Sequence, residues 1–157
     1  MQPANSSHAP ARLKLTPSHG ELPRLEAWLH EFFLTTRELP ARTRFGLELV
    51  LTEAVTNIMD LSRKVTADRP GEAASEIELT CALHDGYVSA ELIDDGPPFD
   101  PTASAPVVLP ASLDEASPGG LGIHLMRRYT SSMEYVREQN KNVLRMTVPV
   151  RPETRVS

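Results

Sequence analysis

In ELIDDGPPFDP, residues 91–101, a strand opens with apolar Leu92 and Ile93 and then breaks into two carboxylates, a glycine, two prolines and Phe99. Gly96 can take backbone angles closed to other residues. Pro97 and Pro98 fix φ and remove two amide donors, so the strand must stop here in one stiff geometry. Asp94 is left at the strand end, where open α/β sheets usually place ligands. A partly buried carboxylate there accepts hydrogen bonds well and suits an exocyclic amine such as that of adenine. Taken alone, the same residues also describe an ordinary Asp-Gly-Pro turn.

Two further stretches bear on that choice. Downstream, PGGLGIHLMRRY (residues 118–129) runs a glycine cluster straight into an apolar-periodic helix. Glycines let backbone N–H groups approach an anion and the helix N-terminus adds partial positive charge, which together make a phosphate cradle. Upstream, LELVLTEAVTNIMDL (residues 47–61) carries Glu53 and Asn57 four residues apart. On a helix that spacing puts both side chains on one face, at the flank of the apolar stripe Leu47, Val50, Leu51, Ala54, Ile58 and Leu61. Without the other two stretches, Glu53 and Asn57 would read as solvated polar residues.

The ordered set Glu53-x-x-x-Asn57, then Asp94-x-Gly96 with Phe99-Asp100-Pro101, then Gly119-Gly120-Leu121-Gly122 resembles the nucleotide-binding boxes of the GHKL superfamily of ATPases and kinases. Within it the chain is most similar to the anti-sigma factor serine/threonine kinases that work by partner switching. The resemblance spans residues 12–150. It is distinct from the phosphate loop of strand–loop–helix NTPases, since no Gly-Lys-Ser/Thr follows the glycines.

Composition agrees with a single domain. The 157 residues, 40% of them apolar, can bury a sizeable core. Sixteen basic against 21 acidic residues leave a formal charge of −5 with no run of Lys and Arg, which disfavours nucleic-acid binding. The lone Cys81 excludes a disulfide framework and reads as a buried structural thiol. No apolar stretch is long enough to span a bilayer, and MQPANSSHAPAR lacks the hydrophobic segment of a signal peptide, so a cytoplasmic protein with no membrane partner is expected.

Along the chain, residues 1–11 read as a disordered leader, 12–150 as the ATPase-like domain and 151–157 as a polar tail. Residues 12–16 alternate as an edge strand. Leu22, Leu25, Trp28, Leu29, Phe32 and Phe33 stand at helical spacing in a first helix, their simplest role being core. A second helix is predicted from about Pro40 to about Ser62, with residues 63–75 as a charged loop rich in Ala, Pro and Gly. Residues 76–84 and 87–93 alternate around Asp85-Gly86 as a hairpin, and 133–138 and 142–150 form a second hairpin around residues 139–141. Residues 102–117, interrupted by Pro106 and Pro110, suggest a functional loop or lid. Hairpins and helices alone support an α+β fold. The resemblance sharpens this to a two-layer α/β sandwich, a mixed, mainly antiparallel sheet with helices on one face.

The resemblance also implies roles. Asn57 would be the magnesium ligand, Glu53 the general base, Asp94 and Gly96 with Phe99 the adenine site, and Gly119, Gly120, Leu121 and Gly122 the part that closes over the phosphates. ATP and Mg²⁺ are the implied cofactors. The implied function is an anti-sigma factor that sequesters a sigma factor and phosphorylates a small anti-anti-sigma (STAS-type) partner on serine, with a homodimer expected. The alternative is a catalytically degenerate binding antagonist in such a pathway. One departure motivates that alternative: the family often places a basic residue and a histidine three and four positions after the asparagine, where this chain has Asp60 and Leu61. An acid facing a triphosphate would weaken its binding unless the side chain points away. His124, Arg127 and Arg128 read as ordinary residues of the third helix, with phosphate or partner contact as the alternative for the arginines.

Overall fold

A computed structural model describes residues 9–103 and 120–150, and the predicted order of strands and helices is found in them. Strand β1 is Ala11–Leu15, followed by helix α1 (Leu22–Thr35) and helix α2 (Ala41–Asp68). The hairpin β2 (Ile77–His84) and β3 (Tyr87–Asp94) leads to helix α3 (Gly120–Tyr129), and the hairpin β4 (Ser132–Glu138) and β5 (Lys141–Pro149) closes the order. The five strands form one sheet in the order β1-β2-β3-β5-β4, with every neighbouring pair antiparallel.

Alternation along the strands decides which face is covered. In β3, Val88, Ala90, Leu92 and Asp94 are buried while the residues between them are part-exposed. The matching row of β5 is Asn142, Leu144, Met146 and Val148. Against this face pack Leu25, Leu29 and Phe32 of α1, Leu47, Leu51, Val55 and Met59 of α2 and Met126 of α3. Burial of each such large side chain contributes about 1.5–3 kcal/mol. That contact stabilises a 14-residue helix such as α1, which would be marginal alone. Trp28 and Phe33 pack part-buried on the same core, and Trp28 stacks on Phe32 at 6.4 Å.

Helix α2 corrects the predicted boundary. It continues past Ser62 to Asp68, so residues 63–68, expected to be loop, are helical. The buried stripe simply goes on through Ile58, Ser62 and Val65. The true breakers are Pro70 and Gly71, the latter at φ 99°, and averaging composition over 63–75 spread their signal over residues that are good helix formers. Of the predicted lid, only Thr102 and Ala103 are described, in a 3₁₀ turn (Pro101–Ala103); the rest of it and Gly119 lie outside the described residues, as do residues 1–8 and 151–157. The second hairpin turns on Gln139 (φ 50°) and Asn140 (φ 62°), two left-handed residues as a type I′ turn requires.

Two glycines set how α3 lies on α2. A Cβ on Gly46 would stand 2.8 Å from Cδ1 of Tyr129, and one on Gly122 would overlap Oε2 of Glu53. Both contacts are separated by seven residues on each helix and run in opposite directions, so α2 and α3 lie antiparallel in close contact over two turns.

Cys81 is fully buried on the covered face, and burial pushes its thiol up to about 12. The folded protein is therefore expected to resist iodoacetamide at about pH 8 and to be alkylated once unfolded in guanidinium. Rapid labelling of the folded chain, read by mass spectrometry, would show that β2 is not closed in as described.

Candidate functional site

Register brings the site together. Ile77, Asp94, Asn142 and Arg137 are successive cross-strand partners on β2, β3, β5 and β4, so their side chains share one row on the helix-covered face. The row beside it is Leu79, Leu92, Leu144 and Tyr135. Asp94 and Asn142 are only 7% and 5% exposed, so their polar atoms must find partners within the protein.

They find them in each other and in the loop that follows β3. Asp94 Oδ1 accepts from Gly96 N at 2.9 Å and from Asn142 Nδ2 at 3.1 Å. The same Asn142 amide donates to Pro97 O at 2.9 Å, while its Oδ1 accepts from Phe99 N at 3.3 Å, Arg137 Nη1 at 3.1 Å and the Tyr135 hydroxyl. Arg137 Nη1 also donates to Gly96 O at 2.7 Å. Gly96 is confined: a Cβ there would come 2.9 Å from Asp94 Oδ1 and 3.2 Å from Ala74 Cβ. The loop 95–99 is thus tied down by side chains of the β4–β5 hairpin.

The two adjacent acids have opposite fates because strand side chains alternate. Burial raises the Asp94 pKa, only partly countered by the bonds from Asn142 and Gly96. Asp95 faces out and accepts from Ser75 N at 2.7 Å, Glu76 N at 3.1 Å and the Ser75 hydroxyl. Slight burial works against it, but those bonds prevail and hold its carboxyl below the usual range.

Above the row lies a cleft walled by Ala54, Asn57 and Ile58 of α2, Phe99 and Pro101 of the loop and Met126 of α3. Its floor is Leu92, Asp94, Tyr135, Asn142 and Leu144. About 330 Å³ lies between its atoms, part of it open to solvent and little of it wide enough for a water molecule, so it is a narrow slot. One buried polar atom of its lining lacks a partner among the described residues. Asn57 Nδ2 is buried without a hydrogen bond among the described residues, and among those residues both hydrogen bonds to the Asp94 carboxylate fall on Oδ1. A buried amide left unpaired costs about 1–3 kcal/mol, which a ligand offering polar atoms would recover.

Asn57, Asp94 and Phe99, three of the residues singled out from sequence, therefore line one cleft. Gly96 serves it through its backbone. Glu53 does not line the cleft; it stands one turn before Asn57 with its carboxylate against Gly122, in the first turn of α3, where the partial positive charge of the helix N-terminus favours an anion. Gly120 begins α3 and Leu121 follows it in the same turn. Asp60 is exposed, pairs with His19 Nε2 at 2.7 Å and is not among the residues lining the cleft. Arg127 donates to Thr102 O at 3.0 Å, linking α3 to the loop. Sequence reasoning missed Asn142, Tyr135 and Arg137. A signal existed: Asn142 heads the row Leu144, Met146, Val148 as Asp94 ends the row Val88, Ala90, Leu92.

A carboxylate whose folded pKa is raised penalises folding fully when ionised, and the penalty fades as pH falls through the folded pKa towards the ordinary value of about 3.9. An asparagine at 94 keeps an oxygen for the Gly96 and Asn142 donors and removes the charge. Asp94→Asn is therefore expected to resist urea better than the wild type near neutral pH, with the difference shrinking as the solution is acidified. A variant less stable at neutral pH, or a difference independent of pH, would refute this account.

Comparison with known proteins gives three findings. The profile of the histidine kinase-like ATPase domain matches residues 15–148. The serine/threonine-protein kinase BtrW of Bordetella bronchiseptica is 37% identical over 127 residues, covering 81% of this chain and 84% of that protein. The crystal structure of the RsbU and RsbW domains of Rv1364c from Mycobacterium tuberculosis superposes with a TM-score of 0.61 at 17% identity, covering 92% of this chain. This chain spans 34% of the length of that one, and at such identity the likeness speaks for the fold alone. With the profile matched over most of its length, the chain belongs to the histidine kinase-like ATPase domain family.

Proposed function

We propose that this protein is an ATP-dependent serine/threonine kinase and anti-sigma factor, which sequesters a sigma factor and phosphorylates a STAS-type anti-anti-sigma partner on serine. The observation that carries the reading is the buried Asn57 amide nitrogen, without a partner among the described residues, on a residue that lines one slot with Asp94 in a chain of the ATPase family. Its similarity to a relative named a serine/threonine kinase supports the choice of substrate class. A cytoplasmic homodimer is the proposed working form.

In this reading Asp94 Oδ2 accepts the 6-amino group of adenine, and the walls formed by Ile58, Leu92, Met126 and Leu144 exclude water from the base. The first turn of α3, from Gly120, offers backbone N–H groups to the phosphates. Asn57 would hold magnesium through its amide oxygen. Magnesium usually takes few protein ligands and completes its shell with waters and phosphate oxygens. That ion would neutralise charge on the β- and γ-phosphates. Glu53, one turn from Asn57, takes the proton of the partner's serine as the serine oxygen bonds to the γ-phosphorus and the bond to the ADP oxygen breaks.

The narrowness of the slot is the observation that favours a second reading, a non-catalytic antagonist that binds its client without turnover. Calorimetric titration distinguishes the two. Binding of ATP at about micromolar Kd with Mg²⁺, weakened about 100-fold in Asp94→Asn, is expected. Absence of binding up to about millimolar nucleotide would overturn the kinase reading. For the base, Glu53→Gln is expected to lower serine phosphorylation about 100-fold or more while ATP affinity changes less than about threefold. Transfer at the wild-type rate would remove Glu53 from that role.

A further inference from the structure

Two saturated ends fix the Asn142 side chain in one orientation. Its Nδ2 faces two acceptors, Asp94 Oδ1 and Pro97 O, and its Oδ1 faces three donors from Phe99, Arg137 and Tyr135. Rotating the amide by half a turn would set oxygen against the carboxylate and the carbonyl, and the NH₂ group against three donors. The amide therefore has one stable setting, and in that setting it occupies Oδ1 of Asp94. Gly96 N donates to the same oxygen, so the carboxylate plane is held by two bonds on one side and only Oδ2 remains for the slot.

We propose that Asn142 is a positioning residue for base selection, fixing the Asp94 carboxylate and the following loop so that a single acceptor oxygen meets an exocyclic amine. The inference rests on the reading of Asp94 as the acceptor for adenine. It goes further in assigning selectivity to a residue of a distant hairpin, 48 positions along the chain. Free rotation of Asp94 would let the carboxylate turn both oxygens among water, loop amides and base, and the selective advantage of a 6-amino group would fall. Tyr135 and Arg137 share the task by holding Asn142 Oδ1, and Arg137 adds a bond to Gly96 O. The charged groups nearest the pair are Arg137 on β4 and Asp95 beside it in the chain.

The test compares ATP with purine riboside triphosphate, which lacks the 6-amino group, by titration against the full chain and its variants. Wild type is expected to prefer ATP by about 30-fold, the worth of one hydrogen bond to a charged group. In Asn142→Ala the preference is expected to shrink to about threefold or less through weaker ATP binding, with the analogue little changed. Asn142→Asp brings a second carboxylate against Asp94. Its preference is expected to be weakened at alkaline pH and to recover as the solution is acidified, where a proton shared by the pair restores a donor to Asp94 Oδ1. Wild type should hold its preference across that range. Tyr135→Phe removes one bond to Asn142 and leaves the ring in place, so it serves if Asn142→Ala does not fold; a drop in preference of about threefold is expected.

Equal weakening of both nucleotides in Asn142→Ala, or a preference kept at the wild-type value, would reduce Asn142 to a structural part and overturn the proposal alone. A preference in Asn142→Asp that does not vary with pH, together with an unchanged ratio in Tyr135→Phe, would do the same. A wild type with no preference for ATP over the analogue would overturn the adenine reading of Asp94, and this proposal with it.

Discussion

A carboxylate in a covered sheet face is tolerated only where donors meet it, and Asp94 places that demand on everything around it. Period-two alternation puts it on the same face as Leu92, so it cannot turn out to water as Asp95 does. Neighbouring elements answer with Gly96 N, the Asn142 amide and, through Asn142, Tyr135 and Arg137. The stiffness of Pro97 and Pro98 lets the loop keep those bonds without a regular structure of its own. Burial still wins over the bonds and raises the Asp94 pKa, so the site is held at some expense in stability. An acceptor left open in an apolar slot is what base recognition requires, and the same openness is what makes the free site costly.

Packing of two helices supplies the other half of the site. Close approach at Gly46 and Gly122 aligns α2 and α3 over two turns and sets the Glu53 carboxylate at the start of α3, while Asn57, one turn on, lines the slot with its amide nitrogen buried and unpaired among the described residues. The chemistry proposed for Glu53 and Asn57 thus depends on contacts with no chemistry of their own. Asp60 shows the converse. On the same helix and three residues beyond Asn57, it is carried round to the outside and meets His19.

Some of this was legible from residues alone. Glu53 and Asn57 on one helical face, the Asp94-x-Gly96 break and the glycines leading α3 carried the family, and Asp85-Gly86 carried the first hairpin. Those are local patterns, set by helical or strand periodicity and by turn chemistry, and they survive folding because the forces that make them act within a few residues. The end of α2 was misjudged because composition over a window blurs a breaker confined to Pro70 and Gly71.

Sequence by itself determined the order of elements, the alternation that drives Asp94 inward and the residue types a nucleotide site needs. Only the tertiary structure decided that Asn142 stands opposite Asp94, that Arg137 and Tyr135 close the ring of bonds around it, that Glu53 lies against Gly122 rather than within the slot, and that Asp60 faces away. The physical reason is range. Alternation and helical spacing are properties of neighbours in the chain, whereas strand register and helix contact join residues 40 or more positions apart through packing of the whole core, as with Asn142 and Asp94 or Asp60 and His19.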